Sequence, residues 1–244
     1  MLTYVAERPF YLSYQVEAGL TVTPIPRITL EPSLEEKDMA ILSRYVEKTY
    51  LNPSAASQIL KRFKQDKSIL LHSFLLPEHV KEIRRLTQER DVSDNVGGTH
   101  KPSYQIGFGH GWEPVGPPHK QRYLRFTSSS SSSTAKGEAC PCGSLLERIR
   151  CELFASGAFA RLLEKLTGLQ VSQQSSESRR FRPGLDYTLA HYGILTVEPK
   201  LDVSICFVKD EKAEDQEVWE SGDVGGFGCY IKVSKQGPWG GMYL

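Results

Sequence analysis

The sequence predicts an α+β fold, and two kinds of pattern indicate it. Apolar residues recur at spacings of three and four through residues 33–90 and 145–167, as in amphipathic helices. Between residues 181 and 231 lie three runs rich in β-branched and aromatic residues, in which side chains alternate as they do along strands. Helices followed by strands in one chain are typical of this class.

Length and composition set the first limits. The chain has 244 residues, enough for one large domain or two small ones with a sizeable core. Its 30 basic and 29 acidic residues give a net charge of +1, so bulk charge predicts neither a nucleic-acid nor a membrane partner. The five cysteines are an odd number without a framework spacing, which favours a reduced, intracellular setting.

Residues 1–33 are expected to be an extended lead-in or interdomain linker. They contain four prolines and no sustained period, and residues 21–30 are suited to one strand at a sheet edge. A chain that starts within such a segment is typical of a fragment of a longer protein.

The next part of the chain is predicted to be mainly helical. Ser33 can cap a helix over residues 33–46, and Pro53 and Pro77 each stand at the first turn of a further helix. Residues 68–75, SILLHSFL, are predicted to form a strand.

Loops and a long helix follow. Glycine and proline indicate a loop over residues 91–118, and a serine run indicates a disordered insertion over 127–143. One helix is predicted over residues 145–167, with Gly168 at its C-terminal end, and residues 172–178 are predicted to be a flexible link.

Three strand segments complete the prediction. Residues 187–192 and 201–207 alternate without interruption, and residues 219–231 contain a Gly-Gly pair that bends the backbone.

The sequences of these segments resemble a known family. RFRPGLDYTLAHYG, LDVSICFVKD and WESGDVGGFGCYI are similar to the C-terminal half of the Ofd/Tpa-type prolyl hydroxylases, which are 2-oxoglutarate and iron-dependent dioxygenases. A second match, of the form W…GPPxKxxY, is carried by the residues Trp112, Gly116, Pro117, Pro118, Lys120 and Tyr123. The resemblance extends from about Ser43 to Ile231 and so covers most of the chain.

The resemblance implies a fold. The family has two double-stranded β-helix domains in tandem, a catalytic one and a C-terminal one that holds no iron, and this chain resembles the second. Residues 34–231 are therefore expected to form a jelly-roll, cupin-like β-helix core flanked by helices. Closure needs about eight strands, and the sequence offers fewer, so the domain is expected to be incomplete at its C-terminus, with residues 232–244 as an atypical tail.

The resemblance also implies a function. The complete parent hydroxylates a proline of a small-subunit ribosomal protein with Fe(II), 2-oxoglutarate, oxygen and ascorbate, acts in translation and oxygen-dependent regulation, and resides in nucleus and cytoplasm. This chain is then expected to be a non-catalytic domain that binds the substrate or a regulatory protein. The catalytic domain is expected in cis, and no membrane partner is expected.

The histidines of the chain do not fit iron chemistry of this kind. Such an oxygenase needs two histidines and one carboxylate on one face of the metal, yet none of the six histidines is followed two residues later by Asp or Glu. His191 stands where the family's catalytic half has its His-x-Asp motif, and Gly193 occupies the acid position. We therefore expect no catalytic residue, metal ligand or cofactor in this chain. The alternative is an active enzyme with unusual ligands such as Asp186, His191 and Asp202.

Two further groups of residues have the composition of a possible binding site. Cys140, Cys142 and Cys151 lack the paired spacing and the fourth ligand of structural zinc sites, so they are interpreted as incidental cysteines of a flexible insertion. A basic and aromatic surface for a protein partner or RNA is predicted if the fold brings its members together; ordinary surface charge is the competing interpretation. The members of this predicted basic and aromatic surface are Trp112, Lys120, Arg122, Tyr123, Arg180 and Arg182.

Overall fold

The structure, a computed structural model, describes residues 2–5, 23–24, 34–96, 103–127, 140–171, 173–188 and 200–207. In these residues helices combine with short antiparallel strands, which confirms the α+β class. None of the described helices has both the length and the apolar character needed to span a membrane.

Six α-helices and nine strands are described. The helices are α1 (Glu36–Leu42), α2 (Lys48–Leu51), α3 (Pro53–Asp66), α4 (Pro77–Ser93), α5 (Pro141–Ile149) and α6 (Gly157–Thr167), with a π-helical turn at Arg150–Phe154. The strands are β1 (Leu2–Val5), β2 (Thr23–Pro24), β3 (Ser68–Ile69), β4 (Trp112–Val115), β5 (Gln121–Phe126), β6 (Gln173–Gln174), β7 (Arg179–Arg180), β8 (Tyr187–Thr188) and β9 (Lys200–Val203).

The strands pair in three groups, all antiparallel. Strand β1 lies between β3 and β9, and β2 pairs with β6. Strand β5 is central to the third group because it pairs with β4, β7 and β8. In this group Trp112 lies opposite Phe126, and Leu124 lies opposite Arg180.

Local signals explain where the helices begin. The Asn52 side chain accepts a hydrogen bond from Ser54 N at 2.8 Å, and Pro53 occupies the first turn of α3, where its missing N–H leaves no donor unsatisfied. Pro77 stands in the same place in α4. Both helices therefore begin where the sequence predicted.

Two groups of buried apolar residues form the core. The larger belongs to the helical region and includes Leu42, Phe63, Ile83 and Leu162. The smaller lies between the central sheet and α5. Its members are Trp112, Leu124, Phe126, Cys140 and Cys142. Leu86 and Leu146 pack against both groups and so join them.

Several predicted elements are shorter or divided. Helix α1 ends at Leu42 rather than at residue 46, and the strand predicted over residues 68–75 is reduced to Ser68–Ile69. The helix predicted over residues 145–167 is divided, because the Ser156 side chain accepts a hydrogen bond from Phe159 N at 3.1 Å and thereby starts α6 anew.

The predicted loops and links contain regular structure. Strand β4 starts inside the loop predicted over residues 91–118, and β6 lies within residues 172–178. Helix α5 begins at Pro141, inside the stretch expected to be a disordered insertion, and Cys140 and Cys142 are buried. The interpretation of these two cysteines as incidental members of a flexible insertion is therefore wrong.

Of the three strands predicted between residues 187 and 231, the structure describes two in part. Strand β8 begins the run predicted over residues 187–192, and β9 covers the start of the run over 201–207. Residues 219–231 and 232–244, most of the lead-in over 1–33, and both His191 and Gly193 lie outside the described residues.

Candidate partner-binding surface

The predicted binding residues come together on the central sheet. Strand β5 carries Arg122 and Tyr123, which as neighbours in a strand face opposite sides. Arg180 lies on β7, which pairs with β5, and Arg182 follows two residues later. The fold therefore unites residues that are about 60 positions apart in the sequence.

Arg122 lies between two aromatic rings. Its guanidinium carbon is 4.5 Å from the ring centroid of Tyr104 and 5.1 Å from that of Tyr187, distances typical of cation–π contacts. Its Nε donates a hydrogen bond to the carbonyl oxygen of Leu185. Tyr104 is 61% exposed, so this side of the sheet presents a partly shielded cation with an aromatic ring above it.

Tyr123, on the opposite face, is buried. Its ring stacks on Phe181 at a centroid distance of 5.4 Å, and its hydroxyl donates to Glu177 Oε1 at 3.0 Å. Burial is the main reason that the Tyr123 pKa is raised to about 12, with Glu177 acting in the same direction and Arg179 against it. The phenol therefore stays protonated and acts as a hydrogen-bond donor.

Arg182 forms a buried ion pair with Asp186. Its Nε and Nη2 donate to the two carboxylate oxygens of Asp186 at 2.8 and 2.7 Å, and its Nη1 donates to the carbonyl oxygens of Tyr104 and Ile106. This bidentate arrangement fixes the loop before β4 against the turn between β7 and β8.

The same contact bears on the alternative iron site. Both carboxylate oxygens of Asp186 already accept hydrogen bonds from Arg182, so an iron ligand here would leave a buried guanidinium unpaired. Asp186 therefore does not suit the role of a metal ligand. Elsewhere in the described ranges, no group of three His, Cys, Asp or Glu residues is close enough to hold a metal ion.

Arg180 is also engaged in ion pairs. Its Nη1 donates to Asp94 Oδ2 and its Nη2 to Asp91 Oδ1, both at 2.6 Å, while Asp94 also accepts from Arg90 at 2.8 Å. These contacts attach β7 to the C-terminal part of α4, so the Arg180 charge is balanced within the protein.

The other two predicted residues take different places. Trp112 is buried and packs edge-on against Phe126 at a centroid distance of 5.2 Å. Lys120 is half-buried in the turn before β5, where its backbone N–H donates to the Pro117 carbonyl at 2.9 Å. Trp112 is thus a core residue, while Lys120 lies at the edge of the sheet.

The exposed part of this region differs from the predicted set. Three aromatic residues are accessible beside the arginines: Tyr104 at 61%, Phe181 at 49% and Phe108 at 37%. We call Tyr104, Phe108 and Arg122 the aromatic rim, whereas Phe181 stacks on Tyr123, on the opposite face of the sheet from Arg122. Sequence reasoning missed Tyr104 and Phe108, which stand in a glycine-rich loop without a period. Phe181 was detectable, because alternation places it opposite the buried Arg180 and Arg182.

Comparison with known proteins defines the class. The chain belongs to the family described as oxoglutarate and iron-dependent oxygenase degradation C-term, whose sequence model matches residues 37–237. This match confirms the resemblance to the C-terminal domain of the Ofd/Tpa-type prolyl hydroxylases.

A curated relative gives a particular protein for comparison. Prolyl 3,4-dihydroxylase OGFOD1 of Ostreococcus tauri is 33% identical over 202 residues, which is 83% of this chain. The matched region is 38% of that relative, so the chain spans well under half of its length.

Proposed function

We propose that this chain is the non-catalytic, partner-binding or regulatory domain of a 2-oxoglutarate and iron-dependent peptidyl-prolyl hydroxylase. One observation carries the proposal: the chain matches the C-terminal family over residues 37–237, and its sequence has no His-x-Asp or His-x-Glu motif. Iron, 2-oxoglutarate and ascorbate then belong to a catalytic domain in cis. The substrate proposed for the parent is a small-subunit ribosomal protein, in nucleus and cytoplasm.

The proposal includes the finer fold. A double-stranded β-helix core would be built on β8 and β9 and continued by the alternating residues 189–192 and 219–231. The antiparallel pairing of β5 with β8 supports this, since such a core consists of antiparallel sheets.

The aromatic rim is the proposed contact surface. Exposed aromatic rings beside an arginine are enriched at protein interfaces, because they bury a large apolar area and keep a polar contact. A protein segment with apolar and acidic side chains fits this chemistry. RNA is the weaker candidate, since Asp91, Asp94 and Asp186 balance the charges of Arg180 and Arg182.

A turnover assay tests the non-catalytic assignment. The purified chain is incubated with ferrous iron, 2-oxoglutarate, ascorbate and proline-containing peptides from small-subunit ribosomal proteins, and succinate is measured. We expect no succinate above the protein-free blank and no stoichiometric iron after desalting. Stoichiometric iron together with succinate release would show an active enzyme and refute the proposal.

A binding assay tests the contact surface. Labelled small-subunit ribosomal proteins are titrated with the chain and followed by fluorescence anisotropy. Replacing Tyr104 and Phe108 by alanine is expected to weaken binding at least about tenfold, as for interface aromatic residues. The matched control is Leu70→Ala, since Leu70 is an exposed apolar residue outside the aromatic rim. Equal loss of affinity in both variants would refute the role of the rim.

A further inference from the structure

The start of helix α5 holds two cysteine sulfurs in contact. Cys140 is the residue before the helix, Pro141 is its first residue, and Cys142 follows. The two Sγ atoms are 3.1 Å apart, and the residues are only 2% and 3% exposed. A disulfide bond is about 2.05 Å long, so the sulfurs need to approach by only about 1 Å to bond.

A buried indole lies near this pair. The Nε1–H of Trp112 is buried and has no hydrogen-bond partner among the described residues. It lies close enough to the Cys140 sulfur to favour the thiolate. A buried donor without a conventional acceptor is uncommon, and an anionic sulfur would satisfy it.

The surroundings distinguish the two thiols. The hydrogen bond from Cys142 is the main cause that lowers the Cys140 pKa; burial opposes it, and the Gly143 N–H, the Trp112 indole and the charge of Arg90 add to it. The Cys142 pKa is raised by its hydrogen bond to Cys140 and by burial. One sulfur is therefore suited to be the nucleophile, and the other keeps its proton.

We propose that Cys140 and Cys142 form a redox-active dithiol that reduces small hydroperoxides and closes to an intramolecular disulfide. The Cys140 thiolate attacks a peroxide oxygen, the O–O bond breaks, and the departing oxygen takes a proton from solvent. The resulting Cys140 sulfenic acid is attacked by the Cys142 sulfur. The S–O bond breaks, the S–S bond forms, and the hydroxyl leaves with the Cys142 proton as water.

A hydroperoxide matches the two sulfurs in the number of electrons transferred and in molecular size. The two sulfurs together give up two electrons, which reduce one hydroperoxide. An organic hydroperoxide gives an alcohol and hydrogen peroxide gives water, and one further water forms as the disulfide closes. Both cysteines are buried, at 2% and 3% exposure, so a protein disulfide is too large to reach them and the proposed oxidant is a small molecule. Cys151 offers the internal contrast, because it is exposed and its pKa is raised, whereas Cys140 is buried and its pKa is lowered.

Mass spectrometry of the full chain tests the reaction. In a background with Cys151, Cys206 and Cys229 replaced by serine, hydrogen peroxide is expected to remove two hydrogen atoms from the intact mass. Peptide analysis should place the bond between Cys140 and Cys142, and a thiol reductant should restore the mass. In the natural chain this oxidation should run about tenfold faster than oxidation of Cys151, in line with thiolate content. Free thiols at both positions while Cys151 is oxidised would overturn the proposal.

Single variants assign the two roles. With Cys142→Ser, a cyclic diketone that traps sulfenic acids is expected to label Cys140; with Cys140→Ser, Cys142 should stay unlabelled. Trp112→Phe should slow Cys140 oxidation about tenfold, since it removes the buried N–H that favours the Cys140 thiolate. Because Trp112 is a core residue, circular dichroism must show that this variant is folded, and otherwise the two cysteine variants decide. Equal labelling in both cysteine variants would refute the assigned order.

Discussion

At the scale of single residues, one ion pair joins distant parts of the chain. Asp38 of α1 is buried, and both of its carboxylate oxygens accept from Arg161 of α6, one of them at 2.6 Å from Nε. Asp38 also accepts from its own helix start, the Glu35 N–H, at 3.0 Å. Since 123 positions separate the two partners, the pair fixes the first helix against the last.

The pair makes stability depend on pH. Burial by itself would raise the Asp38 pKa, but the hydrogen bonds from Arg161 and Glu35 and the Arg161 charge lower it below its ordinary 3.8. A lowered carboxyl pKa contributes stability that is present above about pH 4 and lost as the pH falls through the folded value. Asp38→Asn should therefore lower the unfolding free energy by about 3 kcal/mol at neutral pH. The difference should be smaller at about pH 2 than at neutral pH.

Urea denaturation at both pH values measures this effect. Asp66→Asn is the control, because Asp66 forms an exposed pair with Arg62 at 3.4 Å. It should change the unfolding free energy by less than about 0.5 kcal/mol at either pH. A pH-independent loss in Asp38→Asn would show that the carboxyl charge is not the cause.

At the scale of elements, helix α6 has a glycine at each end, and the two positions differ in whether a side chain fits. Gly168, just after its C-terminal end, has φ +74°, the left-handed conformation that disfavours a side chain. A Cβ there would come within 3.2 Å of Leu60 Cδ1 and of Lys64 Cε. Gly157 begins the helix, and a Cβ there would be no nearer than 3.7 Å to the Arg161 side chain.

The same substitution should therefore act in opposite directions. Gly168→Ala is expected to destabilise the protein by about 1 kcal/mol, since alanine is strained at positive φ. Gly157→Ala is expected to be neutral or to stabilise by up to about 1 kcal/mol, because it reduces the entropy of the unfolded chain. Thermal unfolding of both variants measures the difference, and equal shifts would contradict this account.

The starts of α3 and α4 were predictable from sequence, but the starts of α5 and α6 and most of the short strands were not. Pro53 and Pro77 act through their own geometry, so a local signal was sufficient. Strand β5 was missed because Tyr123 and Leu124, adjacent and therefore facing opposite sides, are both buried, and such a strand shows no simple alternation. The division at Ser156 was missed since the leucines on both sides keep helical spacing.

At the scale of the molecule, Leu86 and Leu146 connect the helical core with the core beneath the sheet. Both cores are thus expected to unfold together. With Trp219 and Trp239 replaced by phenylalanine, Trp112 fluorescence reports on the sheet core, and far-ultraviolet circular dichroism reports on the helices. The two thermal transitions should coincide.

Removing the connection should separate these transitions. Leu86→Ala with Leu146→Ala deletes side chains that touch both cores, and each large-to-small change there weakens both. The control is Leu162→Ala, which lies in the helical core and should lower both transitions equally. Transitions that already differ in the chain with only Trp219 and Trp239 replaced would contradict a single cooperative unit.

The candidate site was predictable in location but not in exposure. The sequence predicted one surface from Lys120, Tyr123 and Arg182 on condition that the fold brings them together. In the structure Lys120 directly precedes β5, Tyr123 lies in β5, and Arg182 follows β7, which pairs with β5. Their burial depends on partners distant in sequence, which no local pattern shows: Glu177 for Tyr123, and the carbonyl groups of Tyr104 and Ile106 for Arg182. Partner binding through Lys120 and Arg122 stays a prediction.

The central sheet also affects how interaction sites in this protein should be mapped. Because β5 pairs with β4 just before it and with β7 and β8 more than 50 positions later, a truncation that ends between residues 127 and 178 separates β5 from two of its partners. Serial truncation would then report misfolding as lost affinity. Exchanges of individual surface side chains, with the backbone left whole, separate the two effects.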